Sequence, residues 1–91
     1  MPKLVLRRLA AENRAEYREH DPARSAAHEN ALDGIRDGTG RGRAIRSGNV
    51  PGYLTAVVIP GRVQEDVIVW ELERTDAGER AVILWLGPRD L

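Results

Sequence analysis

The chain has no cysteine. Disulfides and thiolate metal sites are therefore excluded, and a reducing cytosol suits the composition. It also lacks any apolar run near the roughly 20 residues that a membrane-spanning helix needs. Residues Met1 to Arg8 do not contain the apolar core of about 7 residues or more that marks a secretory leader. The expectation is a cytoplasmic protein with no membrane contact. Net charge is absent too: fourteen basic residues balance fourteen acidic ones. A zero balance argues against gripping a long duplex by charge alone. Lysine is nearly missing, since arginine fills thirteen of the fourteen basic positions. A GC-rich genome explains that bias more simply than a preference for bidentate phosphate binding.

Several chemical motifs are missing as well. There is no Gly-x-Ser-x-Gly and no catalytic cysteine. The stretch Gly38-Thr39-Gly40-Arg41-Gly42-Arg43 resembles a phosphate loop only superficially, because it lacks the Gly-Lys-Ser/Thr ending and the strand-to-helix setting. His20 and His28 are separated by a proline break and have no cysteine companions, which is not a ligand spacing. Both are expected at the surface, and no metal or cofactor is expected.

What is present is a set of three short apolar runs, Tyr53 to Ile59, Asp66 to Leu72 and Ala81 to Leu86. They are rich in β-branched and aromatic residues and are bounded by Gly, Pro or Asp, which reads as strand. Pro60-Gly61 fits the two central positions of a type II turn. Thr75-Asp76-Ala77-Gly78 reads as a polar hairpin tip. Period-two reading places Leu54, Ala56 and Val58 of the first run, and Ile68, Trp70 and Leu72 of the second, towards the helices. Thr55, Val57, Val67, Val69 and Glu71 then form a second face. That face is too apolar to be fully wet and suggests a covering partner, although exposed aliphatic side chains are ordinary on protein surfaces.

Upstream, Lys3 to Leu9 reads as a short first strand or as the start of a helix. Ala10 to Glu19 consists of helix formers, with Arg8/Glu12 as its favourable i,i+4 pair. Asp21-Pro22 reads as a cap followed by a first helical residue. The second helix then runs to about Asp37, with a stripe of Ala23, Ala26, Ala27, Ala31 and Ile35 beside Leu32. Gly38 suits the position just past the helix. The fold expected is α+β: an N-terminal helical hairpin, possibly preceded by a short strand, packed on a C-terminal antiparallel sheet of three or four strands. One domain covers 1–91, divided into a helical part at 1–38, a Gly- and Arg-rich connector at 39–52 and a meander at 53–87.

Arginines are the remaining candidates for chemistry. Arg41, Arg43 and Arg46 lie in the connector, Arg62 follows the Pro60-Gly61 turn, and Arg89 follows the last strand. Gathered on one rim, such groups hold a phosphate bidentately and stabilise a pentavalent transition state. Glu65, Glu71 or Asp90 is then a base candidate. The simpler alternative is that each arginine is a solvated surface charge.

The segments Pro51-Gly52-Tyr53-Leu54-Thr55-Ala56-Val57-Val58, Val67-Ile68-Val69-Trp70-Glu71-Leu72 and Ile83-Leu84-Trp85-Leu86-Gly87-Pro88-Arg89-Asp90 resemble the RelE/ParE superfamily of bacterial toxin–antitoxin toxins. So does the order of helical hairpin and meander. The resemblance implies a toxin with a cognate antitoxin protein as partner. In its RelE-like form it is a metal-independent endoribonuclease that cuts mRNA on the ribosome by attack of the 2′-hydroxyl. By the resemblance Arg62 and Arg89 would then stabilise phosphate charge, and Arg43 and Arg46 would position the RNA strand; the residues themselves add Arg41 to the RNA-binding set and Glu71 as the base candidate. Where some members carry a histidine, this chain has Arg89. In its ParE-like form the protein is non-catalytic and acts through protein contacts, for example with DNA gyrase.

Overall fold

Each of the three apolar runs forms a strand, and two further strands join them. The computed structural model describes residues 3–38, 43–47 and 50–89, and the side chains of all of these except 43, 45–47, 50 and 51. In chain order the elements are β1 (Lys3–Leu6), α1 (Arg8–His20), α2 (Pro22–Asp37), β2 (Arg43–Ser47), β3 (Val50–Val58), β4 (Glu65–Thr75) and β5 (Gly78–Pro88). They make one five-stranded sheet in the order β1-β5-β4-β3-β2. The class is α+β, as the sequence implies, and the helical hairpin precedes the meander.

Two features extend the expected sheet. The connector is partly a strand: β2 pairs antiparallel with β3, Arg43 opposite Leu54 and Ser47 opposite Val50. At the other edge β1 lies parallel to β5, with Leu4 opposite Ala81 and Leu6 opposite Ile83. The sheet is therefore mixed.

Local signals account for the joints. Asp21 caps α2 by accepting from the Arg24 amide at 3.3 Å, and Pro22 takes the first helical turn, where its missing N–H costs nothing. Gly38 ends α2 with φ 82°, in the left-handed region that glycine occupies freely. In the β3–β4 turn Gly61 has φ 80° and the Arg62 amide donates to the Ile59 carbonyl at 3.1 Å, the type II arrangement that Pro60-Gly61 predicts.

Both helices pack on one face of the sheet. Ala10, Tyr17, Leu32 and Ile35 meet Val57, Ile68, Trp70, Ala81, Ile83 and Leu86, with Leu4, Leu6, Tyr53 and Leu72 at the margin. Burying each large aliphatic or aromatic group here contributes on the order of 1.5–3 kcal/mol. The assignment of Ile68, Trp70 and Leu72 to this face holds. That of Leu54, Ala56 and Val58 is reversed. Register pairs Tyr53 with Trp70 and Thr55 with Ile68, so Tyr53, Thr55 and Val57 face the helices and Val58 is left 69% exposed. The Trp70 indole N–H donates to the Thr55 hydroxyl at 3.0 Å, and Tyr53 stacks on Trp70. β3 is apolar in both parities, so its alternation alone does not choose a face.

β5 breaks its own period. Val69 pairs with Trp85 but Trp70 pairs with Ile83, which leaves Leu84 as a bulge. Ala81, Ile83 and then Leu86 consequently face the core. A Cβ on Gly87 would lie 2.7 Å from the Trp85 ring and 3.3 Å from the Tyr17 hydroxyl, so any side chain there forces the ring to shift. Beyond Ile83 the outer edge of β5 is partly met by α1, where the Asn13 amide donates to the Leu86 carbonyl at 2.8 Å. Among the described residues no helix is long and apolar enough to cross a membrane.

Candidate functional site

The β3–β4 turn and the end of β5 bring Arg62 and Arg89 to the same end of the sheet. Each is already engaged. Arg62 grips Asp21 with two hydrogen bonds, at 2.6 and 2.7 Å, tying the β3–β4 turn to the joint between the helices. Asp21 is thereby held below its usual carboxylate range, chiefly by the Arg62 hydrogen bonds. Arg89 pairs with Glu65 through its side chain and also donates its backbone amide to the Glu65 carbonyl at 3.2 Å. Asp66 faces the helices, so its neighbour Glu65 faces away from them by strand alternation. The two arginines thus attach to different layers, one to the helices and one to the open side of the sheet.

The other sequence candidates lie elsewhere. Glu71 follows Glu65 by six positions on β4, about 20 Å along the strand. It lines a shallow depression of about 450 Å³ with Arg7, Arg8, Leu9 and Leu84. The backbone of Arg43 and Arg46 is in the edge strand β2, and their side chains lie outside the described ones. Arg41 lies outside the described residues. The structure therefore does not bring Glu71 to the arginines of the strand ends.

The most concentrated polar constellation is one that the sequence reading passed over. Asp66, fully buried, accepts from Arg24 at 2.5 Å and 2.9 Å, and its Oδ2 is 2.7 Å from His28 Nε2. The Arg24 guanidinium also sits 4.2 Å above the Tyr17 ring, whose centroid is 5.2 Å from that of His28. Burial works against the Asp66 charge, but the hydrogen bonds from Arg24 and His28 together prevail and hold the carboxyl below its ordinary range. Burial likewise pushes the His28 imidazole down, against the pull of Asp66. The carboxylate is ionised and accepts only, so His28 Nε2 carries the proton and Nδ1 is bare. That Nδ1 is buried without a partner among the described residues.

The surface placement expected for His28 is therefore wrong: it is 1% exposed. His20, in contrast, is exposed, beside Glu16 and Glu19. A signal for the buried cluster did exist. Arg24, His28, Leu32 and Ile35 stand at i, i+4, i+8 and i+11, one helical stripe. That stripe, flanked by Ala27 and Ala31, is the packed one, while Ala23 and Ala26 are exposed. Reading only apolar residues as core shifted the stripe towards the alanines. No group of three or more potential metal ligands occurs among the described residues. Compared with protein families, curated proteins and solved structures, the chain matches none of them.

Proposed function

We propose that the chain is a toxin-like module of the RelE/ParE kind that acts in the cytoplasm by holding a protein partner, a cognate antitoxin or a target such as DNA gyrase, without cutting RNA. The observation that carries this reading is the open face of the sheet. Both helices pack on the other side; on this face Val67 and Val82 are buried, and Leu54, Val69, Leu84 and Trp85 are half-buried. An apolar surface of this kind suits a protein contact. The engagement of Arg62 by Asp21 and of Arg89 by Glu65 supports it further, since a phosphate would have to displace both carboxylates.

The endoribonuclease reading stays as the second one because those two ion pairs are exposed. Arg62 and Arg89 side chains are 40% and 55% accessible, and an exposed pair can exchange its carboxylate for an RNA phosphodiester at little cost. The same purified protein tests both readings, in a gyrase supercoiling assay and in an in vitro translation reaction. Intact mRNA, with supercoiling inhibited and the inhibition relieved by Val69→Glu, is the expected result. Specific mRNA cleavage that disappears in Arg62→Ala and Arg89→Ala would replace the binding reading with the nuclease.

A further inference from the structure

The two halves of α2 are fastened to the sheet by different forces. Its C-terminal half carries the buried Leu32 and Ile35, with Ala31 beside them. Its N-terminal half has Ala27 as its apolar contact with the core, and attaches otherwise by polar contacts: Arg24 and His28 to Asp66 of β4, and the cap residue Asp21 to Arg62 of the β3–β4 turn. The apolar anchor is indifferent to protons. The polar one is not.

Three facts make His28 intolerant of a second proton. The Asp66 carboxylate is already neutralised by the two hydrogen bonds from Arg24, so an imidazolium would be a second cation on a single anion. The new N–H would appear at Nδ1, which is buried and has no acceptor among the described residues. A buried donor without an acceptor carries its full desolvation cost. The surroundings offer little relief. Tyr17 of α1 presents a ring, Glu29 of α2 is held by Arg14 of α1 at 2.6 Å and 2.8 Å, and Asp21 at the helix joint is held by Arg62 of the β3–β4 turn.

We propose that His28 is the proton-sensitive pin of a latch: on taking up a proton in mild acid it releases the N-terminal half of α2 from β4, while Leu32 and Ile35 keep the C-terminal half seated. The sign follows from linkage. Burial holds the folded imidazole below its unfolded value of 6.5. Such a group contributes stability that is complete above the unfolded value and is lost as pH falls through it towards the folded one.

The test is amide hydrogen exchange on the intact chain at pH 7.5 and 5.5, corrected for intrinsic rates, together with an NMR titration of His28. Amides from Arg24 to Glu29 should lose protection by up to about tenfold, the limit for one linked proton across this window. Those from Leu32 to Asp37 should change much less, and His28 should titrate below the ordinary imidazole value of 6.5. The variant His28→Gln, whose amide can still donate to Asp66 but cannot titrate, should abolish the selective loss, and His20→Gln should leave it unchanged. Equal loss of protection in both halves of α2, or His28 titrating at or above 6.5, would overturn the proposal. The titration of the natural chain decides the matter even where the His28 variant fails to fold.

Discussion

Glu65 and Asp66 are neighbours on β4, each is a carboxylate, and each is paired with an arginine, yet the two pairs differ in kind. Glu65 and its partner Arg89 keep 35% and 55% of their side-chain surface in water, whereas Asp66 keeps none and Arg24 17%. Strand alternation alone produces the difference, turning one carboxylate out and the next one in. Water screens the outer pair and competes for it, so little of its Coulomb energy reaches stability. The inner pair has been stripped of water, and each partner depends on the other for compensation. The lesson concerns function as much as stability. A ligand can borrow an arginine from an outer pair, but the inner pair is committed to holding α2 on the sheet.

The largest expected effect tests the inner pair. Asp66→Ala leaves the Arg24 guanidinium and the His28 N–H without their acceptor, and should cost about 3–5 kcal/mol in urea denaturation. The triple change Arg24→Met, His28→Leu and Asp66→Leu removes the charges together and should recover most of that loss, because matched apolar replacements of buried ion pairs are often neutral. A single-variant cost near that of a surface residue would erase the contrast between the two carboxylates.

Packing at the same end of the sheet supplies a middle-sized comparison free of charge. Gly87 pairs with Val67, the residue next to Asp66, and a Cβ there would stand 2.7 Å from the Trp85 ring. Gly87→Ala should therefore cost about 1–3 kcal/mol, the usual range for overpacking. Its cost should be the same at pH 7.5 and pH 5.5, unlike that of any change to the His28–Asp66 contact, because neither Trp85 nor Tyr17, the groups the added carbon meets, titrates in that window. Chemical denaturation at both pH values separates steric from proton-linked destabilisation.

How much of this the sequence carried depends on the range of each signal. The Pro60-Gly61 turn, the Asp21-Pro22 helix start and the Gly38 helix end are local, and each stands where its residues direct. Ile68, Trp70 and Leu72 were legible because Val67, Val69 and Glu71 offered a less apolar alternative for the core. β3 was not, since Tyr53-Thr55-Val57 and Leu54-Ala56-Val58 are both acceptable core sets, and the choice is made by Trp70 across the strand. Burial of His28 was hidden for a similar reason. Its acceptor, Asp66, lies 38 positions away, and a helix stripe with Arg and His at its start reads as solvated until that acceptor is found. The positions of Arg62 and Arg89 at strand ends followed from the strands, but the carboxylates that hold them did not.

The smallest expected effect tests the outer pair. Arg89→Ala removes the side-chain contact with Glu65 but leaves the backbone hydrogen bond from residue 89 to the Glu65 carbonyl in place. The strand end therefore stays anchored, and only an exposed ion pair is lost. The change in stability should fall within about 1 kcal/mol and should shrink towards zero in 1 M salt, where the screening length is about 3 Å. Glu65→Gln should behave in the same way, and the double variant should cost no more than the sum of the two. A salt-independent loss larger than this would mean that Arg89 is fastened as firmly as Arg24. It would then be unable to leave Glu65 for a phosphate, and the nuclease reading would lose the exposed guanidinium on which it depends.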